Sequence, residues 1–243
     1  DSGEVTGIEA LVRWHHPDRD ILAPAAFLPA ISGSGTMELL GQTMLTQSLA
    51  ALSEFDRKGL RVPTVAVNFS AQELQDPQLP ERLRWTLERF HLAPSRLTVE
   101  VLETVVAGDG DEIIASNIGR IAAMGCGVDL DDFGTGNASI TAIRRFTLNR
   151  LKIDRSFVRD VDQNREQQKL VTAILSLAER LGLDTLAEGV ETQAEHALLA
   201  QLGCGHVQGY VIARPMPVEE LASWLAAQRE NHARALRIGV NTR

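Results

Sequence analysis

Gly127-Val128-Asp129-Leu130-Asp131-Asp132-Phe133-Gly134-Thr135-Gly136 is the stretch that decides the fold. It begins as an alternating apolar strand, reaches two adjacent carboxylates, and passes at once into a Gly-Thr-Gly loop. Side chains alternate faces along a strand, so both acids of a neighbouring pair can converge on one point only where the strand is ending. Asp131 and Asp132 are therefore a candidate site at a strand terminus.

Outward from this stretch the same pattern recurs. Residues 7–14 alternate, with Ile8, Ala10 and Val12 on one parity and Glu9, Leu11 and Arg13 on the other. Residues 64–70, 97–103, 150–154, 184–189 and 205–213 read as further strands. Between them, apolar residues at helical spacing predict helices over 37–55, 81–90, 113–122, 138–146, 165–181 and 218–228. Gly182 is a predicted C-cap, and Thr192-Gln193-Ala194-Glu195 has the pattern of a capping box opening another helix. The expected domain occupies residues 1–228, with a polar, basic tail over 229–243.

Strands alternating with helices give a parallel α/β protein, either an open doubly wound sheet or a barrel. Polarity separates the two. An open sheet covered on both faces has strands that are apolar on both parities. Here aliphatic residues keep to one parity, while a polar residue stands near the C-terminal end of nearly every strand on the other: Glu9, Asn68, Glu100, Asp131, Lys152, Glu188 and Gln208. In a (β/α)8 barrel of about 250 residues such positions point to the axis at the mouth where active sites form. The chain has 243 residues, so a TIM-like barrel is the expected fold.

The formal charge of −8 excludes general binding of nucleic acid polymers, which requires basic surface. No apolar run approaches the roughly 20 residues of a membrane span, and the first residues do not read as a signal peptide. Cys126 and Cys204 lack the spacing of a zinc site and read as small buried residues in a reducing compartment. His15-His16 and Arg144-Arg145 read as solvated pairs.

A ring of inward carboxylates cannot stay ionised in a buried space without positive charge, and one inward lysine is too little. Metal ions supply it. Carboxylates with an Asn amide, no inward Cys and one inward His select hard cations such as Mg²⁺ or Mn²⁺. Asp131 and Asp132 could bridge two such ions, the arrangement used for in-line displacement at phosphorus. The residues themselves thus point to a metal-dependent phosphoester hydrolase.

The assembled motifs resemble the EAL domain, the cyclic di-GMP phosphodiesterase family. The likeness rests on Glu9-Ala10-Leu11 with Val12-Arg13-Trp14, Val67-Asn68-Phe69-Ser70, Glu100-Val101-Leu102-Glu103, Asp131 to Gly136, Leu151-Lys152-Ile153-Asp154, Ala187-Glu188-Gly189-Val190-Glu191-Thr192 and Gln208-Gly209-Tyr210. It implies a barrel that hydrolyses cyclic di-GMP to linear pGpG with two Mg²⁺ or Mn²⁺ ions. In that pattern Glu9, Asn68, Glu100 and Asp131 hold one ion, and Asp131, Asp132 and Glu188 serve the second. Lys152 orients the attacking water with support from Asp154, Arg13 contacts a substrate phosphate, and Leu11 and Gln208 contact or position the ligand. Glu103 ties down the loop 133–139, and Glu191 supports the site in a similar way.

The resemblance further implies a homodimer, fusion to or regulation by sensory or diguanylate cyclase modules, and a cytoplasmic location, including as the cytoplasmic part of a membrane-anchored signalling protein. Two alternatives stay open: a sensor that binds cyclic di-GMP without cleaving it, and a phosphodiesterase for another substrate such as pGpG. Asn137-Ala138 and Ile31-Ser32 depart from the family pattern, and Asp129 stands where the family has a small residue. Asp129 could pair with Lys152 or Arg150, or hold a proton. The family's first strand precedes Glu9-Ala10-Leu11, so the barrel is expected to lack that strand here, as a fragment or with residues preceding Asp1.

Overall fold

The computed structural model describes residues 3–107, 112–136 and 139–228. Asn137-Ala138 and the 229–243 tail lie outside the described residues. One sheet contains seven strands in chain order: β1 (Ile8–Glu9), β2 (Val65–Phe69), β3 (Leu97–Leu102), β4 (Gly127–Phe133), β5 (Arg150–Ile153), β6 (Asp184–Ala187) and β7 (His206–Val207). Every neighbouring pair is parallel. Parallel neighbours require crossovers. Several of these contain a long helix: α1 (Gly35–Arg57), α2 (Leu79–Arg89), α3 (Glu112–Met124), α4 (Arg165–Leu181) and α5 (Gln193–Gln201). Residues 218–228 are helical as well.

The sheet curls until side chains from its two edge strands touch. Gln208, just past β7, donates from Nε2 to Glu9 Oε2 on β1 at 2.6 Å. Lower down, Thr6 Oγ1 lies 3.2 Å from His206 Nδ1. Side-chain hydrogen bonds across the first and last strands are possible only if the sheet wraps round an axis, so the architecture is the expected TIM-like barrel.

The parity read from the sequence sorts the two faces. Val65, Val67, Leu97, Val99, Val101, Val128, Leu130, Leu151 and Ile153 are all at most 2% exposed and point outward into aliphatic cores. Leu49 and Leu52 of α1, Leu83 and Leu87 of α2 and Ile118 and Ile121 of α3 close over the first strands, and Val171 and Leu175 of α4 over the later ones. Each fully buried aliphatic side chain contributes about 1.5–3 kcal/mol.

Helix ends follow the predicted chemistry. Gly182 takes φ 70° at the C-cap of α4, the left-handed conformation that terminates a helix at low cost in glycine. Thr192 and Glu195 form the capping box of α5. The helix expected over 138–146 is a single turn, Ile140–Ile143, with the Ser139 hydroxyl accepting from Ala142 N–H at 3.0 Å.

Two strands are shorter than expected. The run over 7–14 pairs with β2 only at Ile8 and Glu9, after which Trp14–His15 joins Ile21–Leu22 in an antiparallel hairpin. That hairpin lies largely between the strand expected over 7–14 and the helix expected over 37–55. The strand expected over 205–213 ends at Val207, and at Gly209 the backbone packs so closely on the Val190 backbone that a Cβ would clash with it. Cys126 is buried, Cys204 half-buried, and both are free thiols.

Candidate active site

Inward side chains from four strands or their ends converge on one side chain of a fifth. Lys152 of β5 is 1% exposed, and its Nζ lies 2.7 Å from Glu100 Oε1, 3.0 Å from Asp131 Oδ1, 2.7 Å from Glu188 Oε1 and 3.8 Å from Glu9 Oε2. These acids come from β3, β4, the end of β6 and β1, so the in-register ladder is what brings them together. Asn68 of β2 stands opposite Glu100 and donates from Nδ2 to Glu9 Oε1 at 3.0 Å.

Four carboxylates around one ammonium leave an excess of negative charge. Burial alone would favour neutral Lys152, but Glu100, Glu9, Glu188 and Asp131 outweigh it and hold the ammonium charged, with its pKa raised. The acids respond in the opposite sense. Burial pushes Glu100 well above the ordinary carboxylate range despite the attraction of Lys152. Glu188 is pushed up to about 7 by burial, with Lys152 opposing and Asp131 and Glu9 adding repulsion. Both shifts favour the protonated carboxyls, an effect that a cation in the cluster would oppose.

Asp132 answers the geometric question set by its position beside Asp131. It takes φ 54°, and the β4–β5 register shifts between Leu130 and Phe133. A left-handed residue at a bulge breaks the strict alternation of faces, and aspartate is among the few non-glycine residues that adopt it readily. Both neighbouring carboxylates thus turn to one side. Asp131, Asp132 and Glu188 each present an oxygen, all within 4.8 Å of one another. Burial, then repulsion from Asp131 and Asp154, raises the Asp132 pKa.

The donor set fits a hard cation. It consists of carboxylate oxygens and one amide, and Glu100 Oε2 is buried without a hydrogen-bond partner among the described residues. An orphaned buried carboxylate oxygen is costly unless something binds it.

The remaining predicted residues surround this cluster. Glu103, 3% exposed at the start of the Glu103–Ala107 turn, accepts from Gly134 N at 2.8 Å and Gly136 N at 3.0 Å, two bonds to the Gly-Thr-Gly loop. Asp154 caps the helical turn after β5 by accepting from Ser156 N at 2.9 Å. Arg13 is exposed and folds back to donate to Val12 O at 2.7 Å, and Leu11 is 41% exposed on the same segment. The Glu191 side chain is exposed, and its backbone N–H donates to Glu195 at 2.9 Å. Asp129 resolves toward Arg150, whose Nε and Nη2 both lie 2.8 Å from its Oδ2. Burial raises the Asp129 pKa and Arg150 partly restores it.

The sequence reading gave Glu195 no part in the site beyond its helix cap. The only signal was the capping box itself, and nothing in a linear pattern shows that the same carboxylate reaches a second loop.

Comparison with known proteins places this geometry in context. The EAL domain family model matches residues 1–215. The bifunctional diguanylate cyclase/cyclic di-GMP phosphodiesterase MucR of Pseudomonas aeruginosa is 35% identical over 225 residues, covering 93% of this chain and 33% of its own length. The cyclic di-GMP phosphodiesterase PdeR of Escherichia coli is 35% identical over 222 residues, 91% of this chain and 33% of its own. The chain therefore spans about a third of the length of these two relatives. Among solved structures, the PaMucR phosphodiesterase in complex with c-di-GMP superposes with TM-score 0.83 at 36% identity, covering 88% of this chain and 87% of that one. The c-di-GMP-bound FimX EAL domain of Pseudomonas aeruginosa gives TM-score 0.77 at 25% identity, with 87% and 85% covered.

Proposed function

The chain belongs to the EAL domain family, and from that premise we propose that it is a metal-dependent phosphodiesterase that hydrolyses cyclic di-GMP to linear pGpG. The observation that carries the reading is the convergence of Glu9, Glu100, Asp131 and Glu188 on Lys152, with Glu100 Oε2 buried and unpartnered. Relatives named as cyclic di-GMP phosphodiesterases support the substrate.

Glu9, Asn68, Glu100 and Asp131 would hold one Mg²⁺ or Mn²⁺ ion, and Asp131, Asp132 and Glu188 a second. Such a pair supplies an activated water and neutralises charge developing on the phosphoryl oxygens. The chain's own residues do the positioning. Lys152, held charged by its ring of acids, would donate to the attacking water and fix its line of approach. Asp154, at the cap of the next turn, would support Lys152 and Asp132 from the rim. Gln208, already bonded to Glu9, would present its remaining amide groups to water or ligand. Arg13 and Leu11, exposed beside Glu9, would meet a substrate phosphate and an apolar part of the substrate. Glu103 would hold the loop after Asp132 in place, with Glu191 supporting the opposite side. Water adds to phosphorus, one P–O ester bond breaks, and the leaving oxygen takes up a proton.

The same reading includes a homodimer and linkage to sensory or diguanylate cyclase modules in a cytoplasmic setting. Relatives named as a bifunctional cyclase/phosphodiesterase and as an oxygen sensor support the linkage. Among the described residues no helix is long and apolar enough to cross a membrane. Sedimentation equilibrium checks the dimer.

The decisive test incubates the protein with cyclic di-GMP and Mg²⁺ or Mn²⁺ and separates products by chromatography, beside Glu9→Ala and Lys152→Ala. Linear pGpG from the parent and none from the variants is the expected result. Binding of cyclic di-GMP without cleavage by either metal-loaded form overturns the enzyme and leaves a sensor.

A further inference from the structure

A capping box requires the glutamate at the third helical position to reach one backbone N–H, that of the N-cap residue. Glu195 reaches three. Its Oε2 accepts from Thr192 N at 2.9 Å, the ordinary cap, and from Glu191 N at 2.9 Å. Its Oε1 turns the other way and accepts from Asp160 N at 3.0 Å. The side chain is 4% exposed, so these donors rather than water satisfy it.

Asp160 belongs to the connection that leaves β5 two residues after Lys152, and it takes φ 57°, an uncommon conformation for a residue with a side chain. Glu191 belongs to the connection that leaves β6 through Glu188. One carboxylate therefore bridges the two connections that follow the strand bearing Lys152 and the strand leading to Glu188. Glu188 lies beyond the last paired residue of β6, and its backbone N–H donates to Ile153 O at 3.0 Å. Val190 N is tied to Gln208 O at 3.1 Å, and Glu191 N to Glu195 closes the segment.

We propose that Glu195 is a positioning residue for the cation site, a two-sided clamp that fixes the Glu188 segment against the Lys152 segment and so sets the distance at which Glu188 meets Asp131 and Asp132. The inference rests on the metal-dependent reading above and deepens it. A cap needs one acceptor oxygen and tolerates glutamine. A clamp needs two, which only a carboxylate provides: in glutamine one end presents N–H₂, and it would face the N–H of either Asp160 or Thr192 and Glu191.

The test exploits that difference. Mn²⁺ affinity is measured by isothermal titration and stability by thermal unfolding for the parent, Glu195→Gln and Thr192→Ala. Glu195→Gln should keep the cap and most of the stability yet bind Mn²⁺ about tenfold more weakly, the scale typical of residues that orient metal ligands. Thr192→Ala removes the hydroxyl that accepts from Glu195 N at 3.1 Å but spares the bridge, so it should lower Tm and leave Mn²⁺ affinity unchanged. With cyclic di-GMP, Glu195→Gln should lose kcat and keep KM. Parent-like Mn²⁺ binding by Glu195→Gln overturns the proposal, as does a fall in affinity that tracks Tm equally in both variants, or failure of Glu195→Gln to fold. A parent that binds Mn²⁺ but leaves cyclic di-GMP intact sinks the enzyme reading while the clamp stands. A parent that binds no Mn²⁺ sinks both.

Discussion

Leu130 and Asp131 are chain neighbours on β4, yet they live in opposite environments. Leu130 is 0% exposed in the aliphatic core beneath the helices, and Asp131 is 7% exposed in the charged cluster on the barrel axis. The outer face holds the barrel together by burying apolar surface. The inner face gathers like charges that oppose one another, and it persists because the outer face over-determines the strands. Stability and chemistry are thus carried by alternate residues of the same backbone, which makes them separable by single substitutions.

The largest expected effects come from this adjacent pair. Leu130→Ala should cost about 2–5 kcal/mol of stability, read as a lowered Tm or denaturant midpoint, with turnover per folded molecule close to the parent's. Asp131→Asn should do the reverse: a fall of about 10²–10³-fold in kcat, the scale of removing one stabilising group from a reacting centre, with little change in Tm. Comparable activity losses per folded molecule in both variants would break the division between the faces.

A smaller effect sharpens the inner half of the comparison. Burial holds Glu188 at about 7, well above its ordinary value of 4.5. A bound cation requires the ionised form, so Mn²⁺ affinity should rise with pH, approaching tenfold per unit below about 7, and then flatten. The stability of the metal-free protein moves the other way. A raised carboxyl pKa means that the folded state binds more protons than the unfolded chain between about 4.5 and 7, so this group's contribution falls as pH rises through that window. Glu100, raised by burial in the same sense, adds to the trend. Titrations of Mn²⁺ binding across pH check the first statement, and metal-free unfolding across the same range checks the second. Affinity independent of pH between 5 and 7 would show that the cluster is ionised without a cation.

The two faces also differ in how far the sequence exposed them. The outer face obeys a period of two, so Val65, Val67 and Phe69 or Leu97, Val99 and Val101 announce their burial in any linear reading. The inner polar residues stand out for the same reason, on the other parity near strand ends. Where the backbone leaves the regular strand, periodicity stops carrying information. The left-handed turn at Asp132, the end of β7 where Gly209 packs on Val190, and the hairpin at Trp14 and Leu22 depend on contacts between distant segments. Glu195 shows the limit most clearly. Its cap to Thr192 spans three residues and was visible, while its bond to Asp160 spans 35 and was not.

The smallest effect has the least intuitive sign. Glu100 Oε1 lies 2.7 Å from Lys152 Nζ, and its other oxygen is buried without a partner. Glu100→Gln keeps a carbonyl oxygen for the ammonium and removes a carboxyl whose ionised form burial disfavours. Breaking a lone buried ion pair is strongly destabilising because it strands a charge. Here Lys152 retains Asp131, Glu188 and Glu9, so no charge is stranded. The metal-free variant should therefore unfold at the parent's Tm or above it, by about 2–4 °C for a gain of roughly 1 kcal/mol. Saturating Mn²⁺ should reverse the order, because binding stabilises only the form that holds the ion and the variant has lost a ligand. A metal-free Glu100→Gln variant that unfolds well below the parent would mean that Glu100 serves the fold, and the inner face would then share the task of the outer one.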